Sequence, residues 1–370
     1  DVLQSTDEIA IVDADFTLVT NVETITGGTA ANALVATIGT EAAQAGILTA
    51  TFTDVGAGTD ALTVVAGFTN ALTVNMDATN INTVDASAYT KVLTVATTAE
   101  ILNDAIHVLK GGTASDILSI TADSGAAATV SGIVDIENIT VVGDAGAFNW
   151  TAHDDNADAA STITVDATSM SGGTKAATIN MVAENDAVVI VRGGAGGDTI
   201  TLSASALVDN ISGNDGNDTI KFASGNLILT DIVDGGAGTD VLMATDEVAI
   251  VDADFTLVEN VETLTGSSAA MAVNATIGGE AAQAGISTVT FVDTGAAADN
   301  LTVASGFSSA LTVNLDAGAV NTVDASAFTK ALTVATSNDV LNDATHVLKG
   351  GTDSDILSIT ADNTAAATVS

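Results

Sequence analysis

Residues 1–131 and 240–370 align without a gap at an offset of 239, and 36 of the 131 paired positions differ. The stretch from Ile11 to Gly27 returns as Ile250 to Gly266 with two changes. Several exchanges keep a similar side-chain volume, as a close-packed interior requires: Ile25/Leu264, Met76/Leu315, Ile81/Val320 and Tyr89/Phe328. A catalytic domain gains little from an adjacent copy of itself, whereas a fibre or wall gains length. The organisation is read as one full repeat unit, 1–239, followed by a partial second copy, 240–370. Because that copy stops in mid-repeat, the chain is expected to be a window on a longer tandem array.

Within each copy the signal is of short alternating strands. Leu62-Thr63-Val64, Leu72-Thr73-Val74, Asn82-Thr83-Val84 and Leu93-Thr94-Val95 recur every ten or eleven residues, with copies starting at Leu301, Leu311, Asn321 and Leu332. The outer two residues of each triplet share one face and Thr takes the other, the period of a half-buried strand. Asp, Asn, Gly, Ala and Ser between them suit tight turns. The fold class is all-β: a parallel β-solenoid of the β-roll or β-helix kind with about 20 residues per coil. β-Sandwich-like modules share this sequence pattern and are the alternative. Helical signals are confined to Gly39–Gly46 and to 98–104, where Thr98 is the cap.

Composition supports a folded chain of unusual charge. Hydrophobic residues make up 47%, but aromatics only 3%, so the core is built from Ala, Val, Ile and Leu. Seven Lys plus Arg face 47 Asp plus Glu, a formal net charge of −40. Such a surface excludes nucleic acid and anionic membrane as partners and pushes the folded state apart. Bound divalent cations or a salty medium would relieve that repulsion. With no Cys, no disulfide framework exists. No apolar run reaches membrane-spanning length.

The region 190–239 is richer in Gly and Asp. Gly193-Gly194-Ala195-Gly196-Gly197-Asp198, Gly213-Asn214-Asp215-Gly216-Asn217-Asp218 and Gly235-Gly236-Ala237-Gly238-Thr239-Asp240 each precede a large apolar residue, at Ile200, Ile220 and Leu242. Incomplete forms end at Asp116 and at Asp355, and Gly172-Gly173 lacks the Asp. Glycine permits backbone turns that aim carbonyls at one spot, and Asp adds the hard oxygen that calcium prefers.

These segments resemble the nonapeptide of the RTX calcium-binding family, glycine-rich with one Asp before an apolar anchor. In that family two consecutive nonapeptides complete a coil, with ions along both edges. Here the motifs are a whole coil apart, so the resemblance implies one row of Ca²⁺ on one edge. The implied ligands are the carboxylates of Asp198, Asp218 and Asp240, with backbone carbonyls near Gly193, Ala195, Gly213, Asp215, Gly235 and Ala237. Asp116 and Asp355 are the corresponding ligands of the incomplete forms. Asn214 stands where the second glycine would be, and Asn also tolerates positive φ. A second resemblance, from Gly235 to Gly266 and in diverged form from Ser115 to Gly143, is to bacterial surface-layer and giant RTX-type surface proteins. It implies a secreted, cell-surface location, export in one step while unfolded, self-association into a lattice or filament, and a polysaccharide anchor outside this segment.

Other constellations carry less. His107 and His346 are one position in two copies, read as packing or capping. His153 beside Asp154 and Asp155 suggests a metal or acid–base cluster, but without a second His or any Cys it does not make a zinc site. The pairs Asp13/Asp15 and Asp252/Asp254 are read as a solvated face or a minor cation site. No nucleophile elbow, phosphate loop or HExxH occurs, so no catalytic role is expected. The single Thr of each L/N-T-V strand is too sparse for an ice-binding T-x-T ladder. The expected protein is a calcium-stabilised structural component of a bacterial surface layer, sheath or filament; the stalk of a giant adhesin shares these features.

Overall fold

A computed structural model describes residues 1–6, 10–28, 33–53, 58–76, 82–102, 107–122, 127–129, 132–143, 146–223, 225–246, 249–266, 272–292, 298–315, 320–341 and 346–360. Two compact units, Asp1–Ala195 and Gly196–Ser370, divide it within the first Gly-Asp segment. Each is a parallel β-solenoid. In the first unit, one sheet stacks Val2–Gln4, Thr24–Thr26, Thr49–Thr51, Leu72–Asn75, Leu93–Thr98, Ile117–Thr121, Asn138–Val142, Thr162–Asp166 and Val188–Arg192. A second sheet holds Val35–Ile38, Asp60–Val64, Asn82–Asp85, Val108–Lys110 and Ile133–Val134. In the second unit, the longest sheet runs from Thr199–Thr201 through Thr219–Phe222 and Val241–Ala244 to Ile356–Thr360.

Every strand pairing among the described residues is parallel, which decides against the sandwich. Through residues 60–96, Asp60–Val64 pairs with Asn82–Asp85 and Leu72–Asn75 with Leu93–Thr98. Successive L/N-T-V triplets therefore lie in alternate sheets. Their apolar residues point inward, as Leu62, Val64, Leu72, Val74 and Val84 are all buried, while Thr63 is exposed.

The coil is longer and less even than 20 residues. Thr24 pairs with Thr49, Thr49 with Thr73, Thr73 with Thr94 and Thr94 with Ile117, and the next partners are Asn138 and Thr164. The step from Thr199 to Thr219 has the expected length, and those from Thr73 to Thr94 and from Ile117 to Asn138 exceed it by one residue. The extra residues form corners: the helix Thr40–Ala45, ended by Gly46 at φ 105°, and the 3₁₀ turns Asp13–Phe16 and Asp154–Asn156. The other expected helix is Ala99–Leu102, where the Thr98 hydroxyl accepts the Ile101 N–H at 3.3 Å; positions 103 and 104 lie outside the described residues.

The second copy repeats this arrangement element by element. Thr40–Ala45 recurs as Gly279–Ala284, Asp60–Val64 as Asp299–Val303 and Leu93–Thr98 as Leu332–Ser337. The ring pair Phe68–Tyr89, 5.9 Å between centroids, recurs as Phe307–Phe328 at 5.8 Å. Ile25 and Leu264 are equally buried. Ile81 of the pair Ile81/Val320, and the stretch 361–370, lie outside the described residues.

The acidic pairs prove to be structural. Asp13 accepts backbone N–H groups from Gly39, Glu41 and Ala42 at 2.7, 3.2 and 2.9 Å, so it caps a helix on the following coil. Asp252 does the same for Gly278, Glu280 and Ala281. Asp15 and Asp254 accept the N–H of Val12 and Val251 in their own turns. For Asp13 and Asp252 the solvated-face reading is thus corrected: a helix start has unpaired N–H groups, and a carboxylate is the best available acceptor; Asp15 is exposed. Replacing Asp13 with Ala is expected to cost about 1–2 kcal/mol, seen as a lower urea midpoint at unchanged m value. An unchanged midpoint would show that the cap contributes nothing.

Candidate cation sites on the coil edge

Thr199 pairs with Thr219 and Thr219 with Val241, so the residues before them, Asp198, Asp218 and Asp240, form one column. All three are buried. The column is held by side chain-to-backbone bonds. The Asp198 N–H donates to Asp218 Oδ1 at 2.6 Å, the Asp218 N–H to Asp240 Oδ1 at 2.7 Å, and the Asp240 N–H to Glu262 Oε2 at 2.7 Å. Glu262 belongs to no glycine motif and was not legible as a member. Glu137 plays the same part for Asp116, accepting its N–H at 2.8 Å.

The second carboxylate oxygens separate Asp218 and Asp240 from Asp116 and Asp355. Asp116 Oδ1 accepts the Leu93 N–H and its Oδ2 the Gly112 N–H, at 2.8 and 2.5 Å. Asp355 repeats this with Leu332 and Gly351 at 3.0 and 2.7 Å. Backbone N–H groups thus occupy both oxygens of these two carboxylates. In the second and third complete loops the residue after the first glycine has positive φ, 70° at Asn214 and 99° at Gly236. Asp218 Oδ2 and Asp240 Oδ2 are buried and accept no hydrogen bond.

Those two oxygens tell whether the implied calcium fits. A methyl group placed on Gly213 would collide with Asp218 Oδ2 and with the carbonyl oxygen of Gly235 on the next coil. One placed on Gly235 would collide with Asp240 Oδ2 and with the carbonyl oxygen of Asn260. Each cradle therefore sets a bare carboxylate oxygen beside a carbonyl from the following coil, a hard-oxygen pair of the kind Ca²⁺ takes. The residues present fit the ion at Asp218 and Asp240.

The other expected ligands are placed differently. The Ala237 carbonyl accepts the Gly216 N–H at 2.9 Å, and the exposed Asp215 forms a parallel bridge with Ala237. Gly193 is buried at the end of the first unit, and the Ala195 N–H donates to the Met170 carbonyl at 2.8 Å. His107 and His346 are backbone acceptors: their Nδ1 atoms take the N–H groups of Asn82 and Asn321 at 3.1 and 3.0 Å. His153 Nδ1 lies 3.3 Å from Asp155 Oδ2, whereas Asp154 turns elsewhere, its carboxylate meeting those of Glu184 and Asp186. T-x-T strands also occur, unlike the single Thr of the L/N-T-V triplets. Thr24 and Thr26 stack on Thr49 and Thr51, but Asn75 ends the second column, its amide donating to Thr51 Oγ1 at 3.3 Å.

No protein-family model, curated protein or solved structure matches the chain.

Burial pushes the Asp218 carboxyl up to about 7, against the Asp198 N–H and with help from the charges of Asp198, Asp240 and Asp215. Burial likewise raises Asp231 and Asp240. An unfolded Asp titrates near 3.9, so between about pH 4 and 7 the folded state holds protons that the unfolded state has lost. Stability then falls as pH rises through that window. In chelator, the urea midpoint should decline from pH 4 to pH 7, and Asp218→Asn should flatten the decline. A midpoint that climbs over the same interval would contradict this electrostatic account.

Proposed function

We propose that the chain is a segment of a secreted bacterial structural protein, a calcium-stabilised solenoid that self-associates into a surface layer, sheath or filament. One observation carries this reading: residues 1–131 recur at 240–370 with their described strands, helices and caps in the same places, so the fold is of a kind that extends by addition. Length is what such a design supplies. No described helix is long and apolar enough to cross a membrane, and the net charge of −40 speaks against nucleic acid as a partner.

Calcium would serve here as a folding trigger and a staple. Asp218 and Asp240 would hold it, with the carbonyls of Gly235 and Asn260 completing part of each shell. The bound ion supplies the positive charge that these buried carboxylates lack. An ion that binds only the folded form stabilises it by about 2.7 kcal/mol per site at a hundredfold excess over Kd. Cytosolic calcium is low and external calcium high, so the same linkage would weaken the fold before export and strengthen it afterwards.

The reading is tested by chelation. Excess EGTA should reduce the β-sheet circular dichroism signal and disperse assemblies seen by electron microscopy, and calcium should restore both. Monovalent salt should rescue only in part, because screening lowers repulsion without coordinating carbonyls. Asp218→Ala should weaken the calcium response more than Asp355→Ala, whose carboxylate already takes two N–H groups. Dichroism and assembly that ignore excess chelator would sink the calcium mechanism.

A further inference from the structure

Glu184 is fully buried, yet only one of its carboxylate oxygens is used. Oε1 accepts the N–H groups of Asp186 and Ala187 at 3.1 and 2.9 Å. Oε2 is buried and accepts nothing. Two more acids meet the Glu184 carboxylate. Asp154, in the 3₁₀ turn Asp154–Asn156, and Asp186, in the turn before Val188–Arg192, are half-buried. One carboxylate oxygen from each of the three lies within 4.8 Å of the others.

The backbone forces this meeting. The Asn185 N–H donates to Asp154 Oδ1 at 3.2 Å, fixing the later turn against the earlier one. Asn156 and His153 cap the 3₁₀ turn by themselves, through the bond from the His153 N–H to Asn156 Oδ1 at 2.7 Å and from the Asp155 N–H to His153 Nδ1 at 3.3 Å. The Asp154 carboxylate is therefore not consumed by its own turn. Among the described residues no Lys, Arg or His forms an ion pair with any of the three acids.

We propose that Asp154, Glu184 and Asp186 form a calcium site, separate from the Gly-Asp column and independent of it. Three carboxylates and no nitrogen or sulfur ligand select a hard cation. Glu184 would bind through Oε2 alone, since Oε1 is held by two N–H groups. The half-exposed Asp154 and Asp186 leave room for water to complete the shell. Ca²⁺ accepts such an irregular set of six to eight oxygens, whereas Mg²⁺ demands a near-ideal octahedron. Burial and the charges of Asp154 and Asp186 also raise the Glu184 pKa, so a bound cation would relieve a cost that the fold otherwise bears.

The lone Trp reports on this site. Trp150 is buried in the strand Phe148–Thr151, four residues before Asp154 and so within roughly 14 Å of it even along an extended chain. Tb³⁺ titrated into the whole chain should give a saturable luminescence excited through Trp150. Ca²⁺ should displace it at concentrations at least tenfold below those of Mg²⁺. Glu184→Gln and Asp154→Asn should each lower Tb³⁺ affinity at least tenfold with the dichroism spectrum preserved; if Glu184→Gln misfolds, Asp186→Asn takes its place. Asp218→Asn should leave this signal intact, which separates the site from the column. The proposal is overturned by a signal that is absent or does not saturate, by one that the three substitutions leave unchanged, or by Mg²⁺ competing as well as Ca²⁺.

Discussion

The structure rests on carboxylates that take the backbone N–H of a residue one coil away. In a parallel solenoid the strands satisfy one another, but each corner leaves N–H groups without a ladder partner. Here Asp60 takes the N–H of Leu34, Asp116 that of Leu93, Asp218 that of Asp198 and Asp231 that of Asp209. A charged acceptor makes the stronger kind of hydrogen bond, and it also selects register, because a coil slipped by one residue loses its cap. Much of the acidity that made the chain look electrostatically strained is thus spent inside the fold on its own backbone.

This use of acids sets the electrostatic problem that cations would solve. Where a carboxylate accepts two N–H groups, as at Asp116 and Asp355, the backbone answers its charge. Where positive φ follows the first glycine, as at Asn214 and Gly236, one oxygen is left bare and buried. Between these two kinds of turn the Asp is unchanged and the backbone conformation after the first glycine differs. Glu184 reaches the same condition by another route, committing one oxygen to a turn and leaving the other bare and buried.

The strands were legible because inside–outside alternation is a local pattern: Leu72-Thr73-Val74 states its own orientation. Parallel pairing was not, since a sandwich strand alternates in the same way and only the partner distinguishes them. The positive φ expected at Asn214 was readable from residue type. By contrast, the duty of Asp13 depends on Gly39 and Ala42, more than twenty residues on, and nothing near Asp13 announces it. Glu184 and Asp154 are thirty positions apart, and only the length of an uneven coil brings them together. Even coils of 20 residues, inferred from the glycine motifs, would have placed neither pair correctly.

The column caps also have a direction. Leu34, Asn82, Leu93, Asp198, Asp218 and Asp240 each give their N–H to a side chain that comes later in the chain. Each such corner is thus completed by its successor. In a chain that emerges N-terminus first, whether from a ribosome or through a pore, a newly formed coil with such a corner holds donors that await the next. Order would advance with a lag of one coil behind emergence, and a pause would leave a reactive, half-finished tip in place of a closed surface. Timing, as much as composition, then governs whether such a solenoid grows true or sticks to its neighbours.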